Sequence, residues 1–165
     1  MTFNRAFLVL DPESSGTRMM TRLLMCAGCY GDDGHDQRLD DGIPQEEQLV
    51  VWRRSVPHRR EWPRIEGCIE RLEDDDYWGT GVVMSRDWHA MAISQEGQHA
   101  PDLQTALENI RRAYLHIFNA LSFRRDIPFE LVNYEAIVQR PIGTVTYLFQ
   151  RLGLPVPDRI PNVYD

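Results

Sequence analysis

The sequence contains no lysine: each of its 18 basic residues is an arginine. This excludes a phosphate-binding loop of the GxxxxGK(S/T) type, which places a lysine on the phosphates. No apolar run approaches the roughly 20 residues that a membrane-spanning helix needs. The start of the chain, MTFNRAFLVLDPESSG, has only a short apolar stretch that ends in Asp and Pro, unlike a secretory signal. We therefore expect a cytoplasmic protein that does not bind a membrane.

Cysteine is scarce as well, with Cys26, Cys29 and Cys68 as the full set. Cys26 and Cys29 form a CxxC pair, but a zinc site needs two further ligands and no second pair is present. We expect Cys26 on the buried face of a helix and Cys29 just past the end of that helix. The acidic stretch 32–41 does not fit the spacing of a calcium loop, and it predicts a mobile acidic loop over 31–47. No metal is expected.

Basic charge is in the minority, since 25 acidic residues outnumber the 18 arginines and leave a net charge of −7. Such a balance disfavours general binding to nucleic acid. The arginines are unevenly spread, because positions 52–64 (WRRSVPHRREWPR) hold five of them against one glutamate. A hydrophobic fraction of 42% over 165 residues is typical of a soluble globular protein. We expect one domain over 1–165.

Short apolar runs alternate with helical patterns along the chain. Strands are predicted at 6–10, 49–52, 81–84 and 129–132, and helices at 18–27, 65–72, 90–95, 102–121 and 142–152. This alternation predicts an α/β fold of three layers: a mainly parallel sheet with helices on both faces, of the P-loop nucleotide-binding type. In such sheets ligands bind beyond the carboxyl ends of the strands.

The loop after the first strand has the composition of an anion site. Strand FLVL is followed by DPESSGT and a helix that opens at Arg18. Backbone N–H groups at a helix start converge on anions, and the helix dipole favours negative charge there. Ser14, Ser15 and Thr17 supply hydroxyl donors, and Gly16 lets the backbone approach closely. The guanidinium of Arg18 can fork onto phosphate or sulfate oxygens. An ordinary helix start would also tolerate these residues.

A second anion signal follows the predicted strand at 81–84. In the segment VVMSRDWHAMAIS, Arg86 comes directly after the strand and Ser94 comes eight positions later. A helix that begins near Trp88 places Ser94 about two turns along it. Arg86 and Ser94 can then contact one phosphate. The alternative is an exposed arginine and a serine that faces solvent.

Three motifs together resemble the PAPS-dependent sulfotransferases: PxSSGT after the first strand, R-D-x(6)-S after a later strand, and Y-E near the C-terminus. The resemblance covers nearly the whole chain, from 7 to 155. It implies that loop 14–18 binds the 5′-phosphosulfate of 3′-phosphoadenosine 5′-phosphosulfate (PAPS). It also implies that Arg86 and Ser94 hold the 3′-phosphate and that Tyr134 lies near the adenine. Ser14 stands near the position of the loop lysine of that family.

The chemistry of sulfuryl transfer calls for two kinds of group. Negative charge develops on the bridging oxygen of the departing phosphate, and fixed donors such as Arg18 stabilise it. The acceptor hydroxyl must lose a proton, for which a histidine is suited. The resemblance implies a catalytic histidine after the second predicted strand, where RRSVPH places His58. His35, Glu13 and Glu46 are alternative bases.

The predicted function is therefore transfer of a sulfuryl group from PAPS to a hydroxyl or amine on a small-molecule or glycan-type acceptor. One alternative is a P-loop kinase that uses Mg²⁺, with Thr17 as a ligand and Asp87 as the acidic partner. Another is a nucleotide-binding module without catalysis. Sulfuryl transfer requires that the loop at 14–18 and the Arg86–Ser94 pair share one cleft.

Overall fold

The computed structural model describes residues 4–31, 42–43, 46–57, 61–157 and 160. Within them, five parallel strands form one sheet in the order β2–β3–β1–β4–β5. The strands are β1 (Asn4–Pro12), β2 (Tyr30–Gly31), β3 (Leu49–Val56), β4 (Tyr77–Ser85) and β5 (Phe129–Asn133). The helices are α1 (Thr17–Cys26), α2 (Ile65–Asp74), α3 (Trp88–Gln95), α4 (Leu103–Phe123), α5 (Tyr134–Gln139) and α6 (Pro141–Arg151).

The central strand β1 is buried on both faces, which explains its unbroken apolar run. Ala6, Leu8 and Leu10 pack in one core with residues of α2, α3 and α4. Phe7 and Val9 pack in a second core with residues of α1, α5 and α6. Successive strand residues point to opposite faces of a sheet, so the two cores lie on opposite sides. This is the predicted three-layer α/β architecture.

The helix ends follow the sequence signals closely. Asp102 caps α4, with its carboxylate accepting a hydrogen bond of 2.7 Å from the backbone N–H of Thr105. Asn133 caps α5 in the same way by accepting a hydrogen bond from the N–H of Ala136. The positive φ of 95° at Gly28 lies just beyond α1, as its predicted stop requires. Among the described helices, none is both long and apolar enough to cross a membrane.

Two short elements and one cysteine differ from the predictions. Strand β2 has two residues and α5 has six, and neither is long enough to show a periodic pattern. The placement of Cys26 is wrong, because its side chain is exposed while Cys29 is buried. Ala27, rather than Cys26, continues the buried stripe of α1. Burial raises the pKa of the Cys29 thiol to about 12.

Candidate functional site

The candidate site lies at the carboxyl ends of β1 and β4, which are neighbours in the sheet. From β1 the chain continues to β2 on one side of it, while β4 and β5 lie on the other side. Ligand sites of open α/β sheets occur at such a switch point. Three segments begin here: the loop 13–16 after β1 (the first loop), Arg86 after β4, and α5 after β5.

The first loop has backbone angles that few residue types adopt. Ser14 has φ 69° and Gly16 has φ 109°, both in the left-handed region. A Cβ atom on Gly16 would lie 2.6 Å from Cδ2 of Tyr134, so only glycine fits between loop and ring. Helix α1 starts at Thr17 without a side-chain cap. The first N–H groups of a helix have no partner within the helix and commonly bind anions.

The hydroxyls of the first loop are not equally available. Ser15 is fully buried, and its Oγ donates to Oδ2 of Asp11 and to the carbonyl oxygen of Pro12, the latter at 2.6 Å. Thr17 is buried as the first residue of α1, while Arg18 beside it is exposed. The Ser15 hydroxyl is thus turned inward, toward Asp11.

Asp11 lies beneath the first loop and was not among the predicted site residues. It is fully buried, and within the part of the chain that the structure describes its Oδ1 has no hydrogen-bond partner. Burial raises the pKa of this carboxyl well above its usual range; the Ser15 hydroxyl and the charge of Arg53 oppose the shift, and Glu13 adds to it. An aspartate that ends a buried strand four residues before a serine is the signal that could have revealed it.

Arg86 joins the first loop to the end of β4. Its Nη1 donates a hydrogen bond of 2.7 Å to the carbonyl oxygen of Ser14. Its guanidinium carbon lies 4.5 Å from the ring centroid of Tyr134, a distance at which cation and ring attract each other. Because Tyr134 also contacts Gly16, the structure brings the first loop, Arg86 and Tyr134 into one cluster.

Helix α3 begins directly beyond Arg86 and runs beside the first loop. Asp87 caps it by accepting a hydrogen bond of 2.8 Å from the N–H of Ala90. Ser94 lies exposed in its last turn, at the position that the helix prediction gave it. The neighbouring Gln95 is buried, and its Nε2 donates to the carbonyl oxygen of Glu13 at 2.5 Å. The first loop is therefore fastened to both ends of α3.

A second contact to the first loop comes from the turn after α3. Nδ1 of His99 lies 3.2 Å from Oε2 of Glu13, and their side chains are 33% and 11% exposed. Glu13 was one of the candidate bases, whereas His99 was missed. The two residues are far apart in the chain, and the only local hint is a histidine shortly after a predicted helix.

The strand before the arginine-rich segment is longer than predicted. Strand β3 continues to Val56, so Arg53 and Arg54 lie within it and not in a loop. The guanidinium carbon of Arg54 lies 4.6 Å from the ring centroid of Trp52. His58 and His35, two of the candidate bases, lie outside the described residues. Among the residues that are described, no three His, Cys, Asp or Glu side chains are placed to hold a metal ion.

This chain is similar to known proteins in its structure, but no similarity was found from its sequence. No family model and no curated protein matches this sequence. The sulfotransferase domain from the curacin biosynthetic pathway superimposes with a TM-score of 0.61 at 13% identity, over 100% of this chain and 79% of that one. The chain has the sulfotransferase fold.

Two further sulfotransferase-fold structures hold PAP. A mouse sulfotransferase complexed with PAP has a TM-score of 0.58 at 12% identity, over 94% of this chain and 61% of that one. Retinol dehydratase in complex with androsterone and PAP has a TM-score of 0.55 at 14% identity, over 92% and 60% of the two chains. The present chain thus spans less than two thirds of the length of either structure.

Proposed function

We propose that this protein transfers a sulfuryl group from PAPS to a hydroxyl or amine on a small acceptor. The observation that carries the proposal is the 2.7 Å hydrogen bond from Arg86 to the carbonyl oxygen of Ser14. It ties the Arg86 cluster to the first loop, so that one doubly phosphorylated adenosine can contact both. Binding of PAP by sulfotransferase-fold proteins supports the same donor.

Each end of the donor has a matching group. The N–H groups at the start of α1, with Thr17 and Arg18, hold the phosphosulfate. Arg86 has further N–H donors besides the one given to Ser14, and with Ser94 it holds the 3′-phosphate. Tyr134 contacts the adenine with the part of its ring that Gly16 and Arg86 leave uncovered. Arginine is suited to this task because its planar fork matches phosphate oxygens.

The transfer itself needs charge stabilisation more than covalent help. The acceptor oxygen or nitrogen forms a bond to sulfur while the bond from sulfur to the phosphate oxygen breaks, and that oxygen keeps the electron pair. The N–H groups of the first loop and Arg18 face the negative charge that develops on this oxygen. The acceptor proton passes to a base, a role for which a histidine is suited. Androsterone bound in retinol dehydratase supports a small-molecule acceptor.

The kinase alternative has less support. It needs Asp87 as the acidic partner of Mg²⁺. In the structure, the carboxylate of Asp87 caps α3 and its backbone N–H donates to Oε1 of Glu135 at 3.0 Å. Both contacts hold Asp87 in a structural position at the start of α3.

Ligand-dependent unfolding tests the proposal. We expect PAP (3′-phosphoadenosine 5′-phosphate) to raise the melting temperature, because a ligand at 100 times its Kd stabilises the native state by about 2.7 kcal/mol. ATP, with or without Mg²⁺, should have a smaller effect. A shift with ATP and Mg²⁺ alone would instead support the kinase.

Substitution of Arg86 locates the site. Arg86→Met should weaken PAP binding about 10- to 100-fold, since a hydrogen bond to a charged group contributes about 1.5–3 kcal/mol. The control is Arg125→Met, because Arg125 is exposed in the turn between α4 and β5, at the opposite edge of the sheet. Calorimetric titration with PAP measures both variants, and equal affinity for the two would contradict the placement of the donor.

A further inference from the structure

The carboxylate of Glu13 contacts the imidazole of His99 and orients it. Oε2 of Glu13 lies 3.2 Å from Nδ1 of His99, and the glutamate side chain is only 11% exposed. A carboxylate on Nδ1 keeps the proton on that nitrogen and leaves the lone pair of Nε2 available. Within the described part of the chain, Nε2 makes no hydrogen bond, and one third of the His99 side chain is exposed.

The turn that carries His99 is firmly held. The backbone N–H of His99 donates to the carbonyl oxygen of Gln95 at 2.8 Å, and the N–H of Gly97 donates to the carbonyl oxygen of Ala100 at 2.8 Å. The side chain of Gln95 in turn holds the backbone of Glu13. Both partners of the pair are therefore fixed by contacts that do not involve the imidazole itself.

The position of the pair relative to the donor follows from α3. Arg86 precedes this helix and contacts Ser14, while His99 follows it and contacts Glu13, the adjacent loop residue. Eight helical residues separate the two ends by about 12 Å. His99 lies beyond the end of α3 and contacts Glu13, a residue of the loop proposed to hold the phosphosulfate.

We propose that His99 is the general base of the sulfuryl transfer and that Glu13 is its positioning residue; this assignment rests on the proposed function. The proton of the acceptor O–H passes to Nε2 of His99 as the acceptor oxygen bonds to sulfur. The bond from sulfur to the phosphate oxygen breaks in the same step, and PAP leaves with that electron pair. The carboxylate of Glu13 faces the imidazolium that forms.

Two phenols of different acidity test the assignment. Phenol must lose its proton during transfer, whereas 4-nitrophenol is acidic enough to be largely ionised beforehand. His99→Ala should therefore lower the transfer rate from PAPS to phenol by about 10²- to 10⁴-fold and the rate to 4-nitrophenol only a few-fold. Equal losses with the two phenols would overturn the assignment, because a structural defect affects both alike. Undiminished transfer to phenol would overturn it as well.

Matched variants complete the experiment. His89→Ala removes an exposed histidine from the same helix region and should transfer to both phenols as the wild type does. Glu13→Gln retains an oxygen that can accept from Nδ1, so its loss with phenol should be smaller than that of Glu13→Ala. If Glu13→Ala transfers to phenol at the wild-type rate, the positioning role is wrong.

Three measurements keep the base separate from the proposed function. PAP binding by calorimetry should be unchanged in His99→Ala. If wild type binds no PAP, the proposed function fails. If wild type binds PAP and transfers to phenol while His99→Ala does the same, only the base assignment fails. The slow cleavage of PAPS by water can be measured without any acceptor. An equal cleavage rate in wild type and His99→Ala would also overturn the assignment of His99 as the base.

Discussion

The two flanks of the first loop are built from different chemistry. On one flank, Arg86 contacts Ser14 and packs over Tyr134, so the loop meets a cation and an aromatic ring. On the other, Gln95 and His99 contact Glu13, so the loop meets an amide and an imidazole next to a carboxylate. The first flank suits an anion, and the second suits a proton transfer. One loop of four residues thus contacts two chemically different sets of side chains.

Glu13 adds an electrostatic difference between the two flanks. The negative charge of a carboxylate disfavours an anion beside it, so the charge of Glu13 distinguishes its flank from the Arg86 flank. On its own flank this carboxylate contacts Nδ1 of His99. Helix α3 connects the two flanks, since Arg86 and His99 lie just beyond its two ends. Changes to the backbone of the first loop, to Asp11 beneath it, or to a side chain of α3 should therefore have separable effects.

The largest effect is expected from Gly16→Ala, which disturbs Tyr134 on the Arg86 flank and strains the backbone of the first loop. The new Cβ would lie 2.6 Å from Cδ2 of Tyr134, and the φ of 109° is unfavourable for alanine. Overpacking of this kind costs about 1–3 kcal/mol, in addition to the backbone strain. We expect a lower free energy of unfolding in urea and loss of measurable PAP binding.

Gly28→Ala is the matched control for that substitution. Gly28 also has a positive φ, of 95°, but a Cβ there would have nothing within 4 Å. It carries the backbone strain without the clash, and it should retain PAP binding. Equal losses in the two variants would show that Tyr134 does not press on the first loop.

An intermediate effect is expected from Asp11→Asn, which changes the buried carboxyl beneath the first loop. Burial raises the folded-state pKa of Asp11. Below the ordinary aspartate pKa of about 3.9 the carboxyl is protonated in both the folded and the unfolded state. As the pH rises, the unfolded state ionises first and the wild type loses stability. The free energy of unfolding of Asp11→Asn should therefore increase relative to that of wild type as the pH rises.

Asp102→Asn provides the control of opposite sign. The N–H of Thr105 lowers the folded-state pKa of this exposed cap, so wild type should gain relative to Asp102→Asn as the pH rises. Urea unfolding from about pH 2 to about pH 8 measures both variants, because the contribution of Asp102 changes below the ordinary aspartate pKa. Parallel pH profiles for the two would contradict the raised pKa of the buried Asp11.

The smallest effect is expected from Ser94→Ala, which removes one exposed hydroxyl in the last turn of α3. One hydroxyl hydrogen bond contributes about 0.5–1.5 kcal/mol, so the Kd for PAP should rise a few-fold. The Kd for AMP, which has no 3′-phosphate, should not change. Ser122→Ala on α4 removes an exposed serine away from the site and should bind PAP as wild type does. A matching loss with AMP would place Ser94 elsewhere on the nucleotide.

The sequence was informative where structure is decided locally. Helix α4 was predicted from the spacing of its apolar residues and from the cap at Asp102, because both signals lie within a few turns of chain. The cores of β1, β3, β4 and β5 were predicted for the same reason, as apolar runs between loops. The first loop and Arg86 were found because each directly follows a strand, and the strand ends of a parallel sheet meet at one edge.

The remainder depends on contacts between distant residues. Ser15 was predicted as a donor to a phosphate, but whether its hydroxyl turns outward depends on the burial of Asp11, which the sheet and its helices create together. The meeting of His99 with Glu13 requires α3 to lie along the loop, and no local pattern encodes that. The two-residue strand β2 owes its existence to its pairing with β3.

The reliance on arginine at this loop has a consequence for the alkaline range. A guanidinium is not deprotonated in proteins, whereas a lysine amine is. A nucleotide held by Arg86 should therefore stay bound in alkaline buffers in which a lysine amine would lose its proton and its charge. Reagents that acylate amines should leave the cleft intact, while a dicarbonyl such as phenylglyoxal should block it, with PAP as the shield.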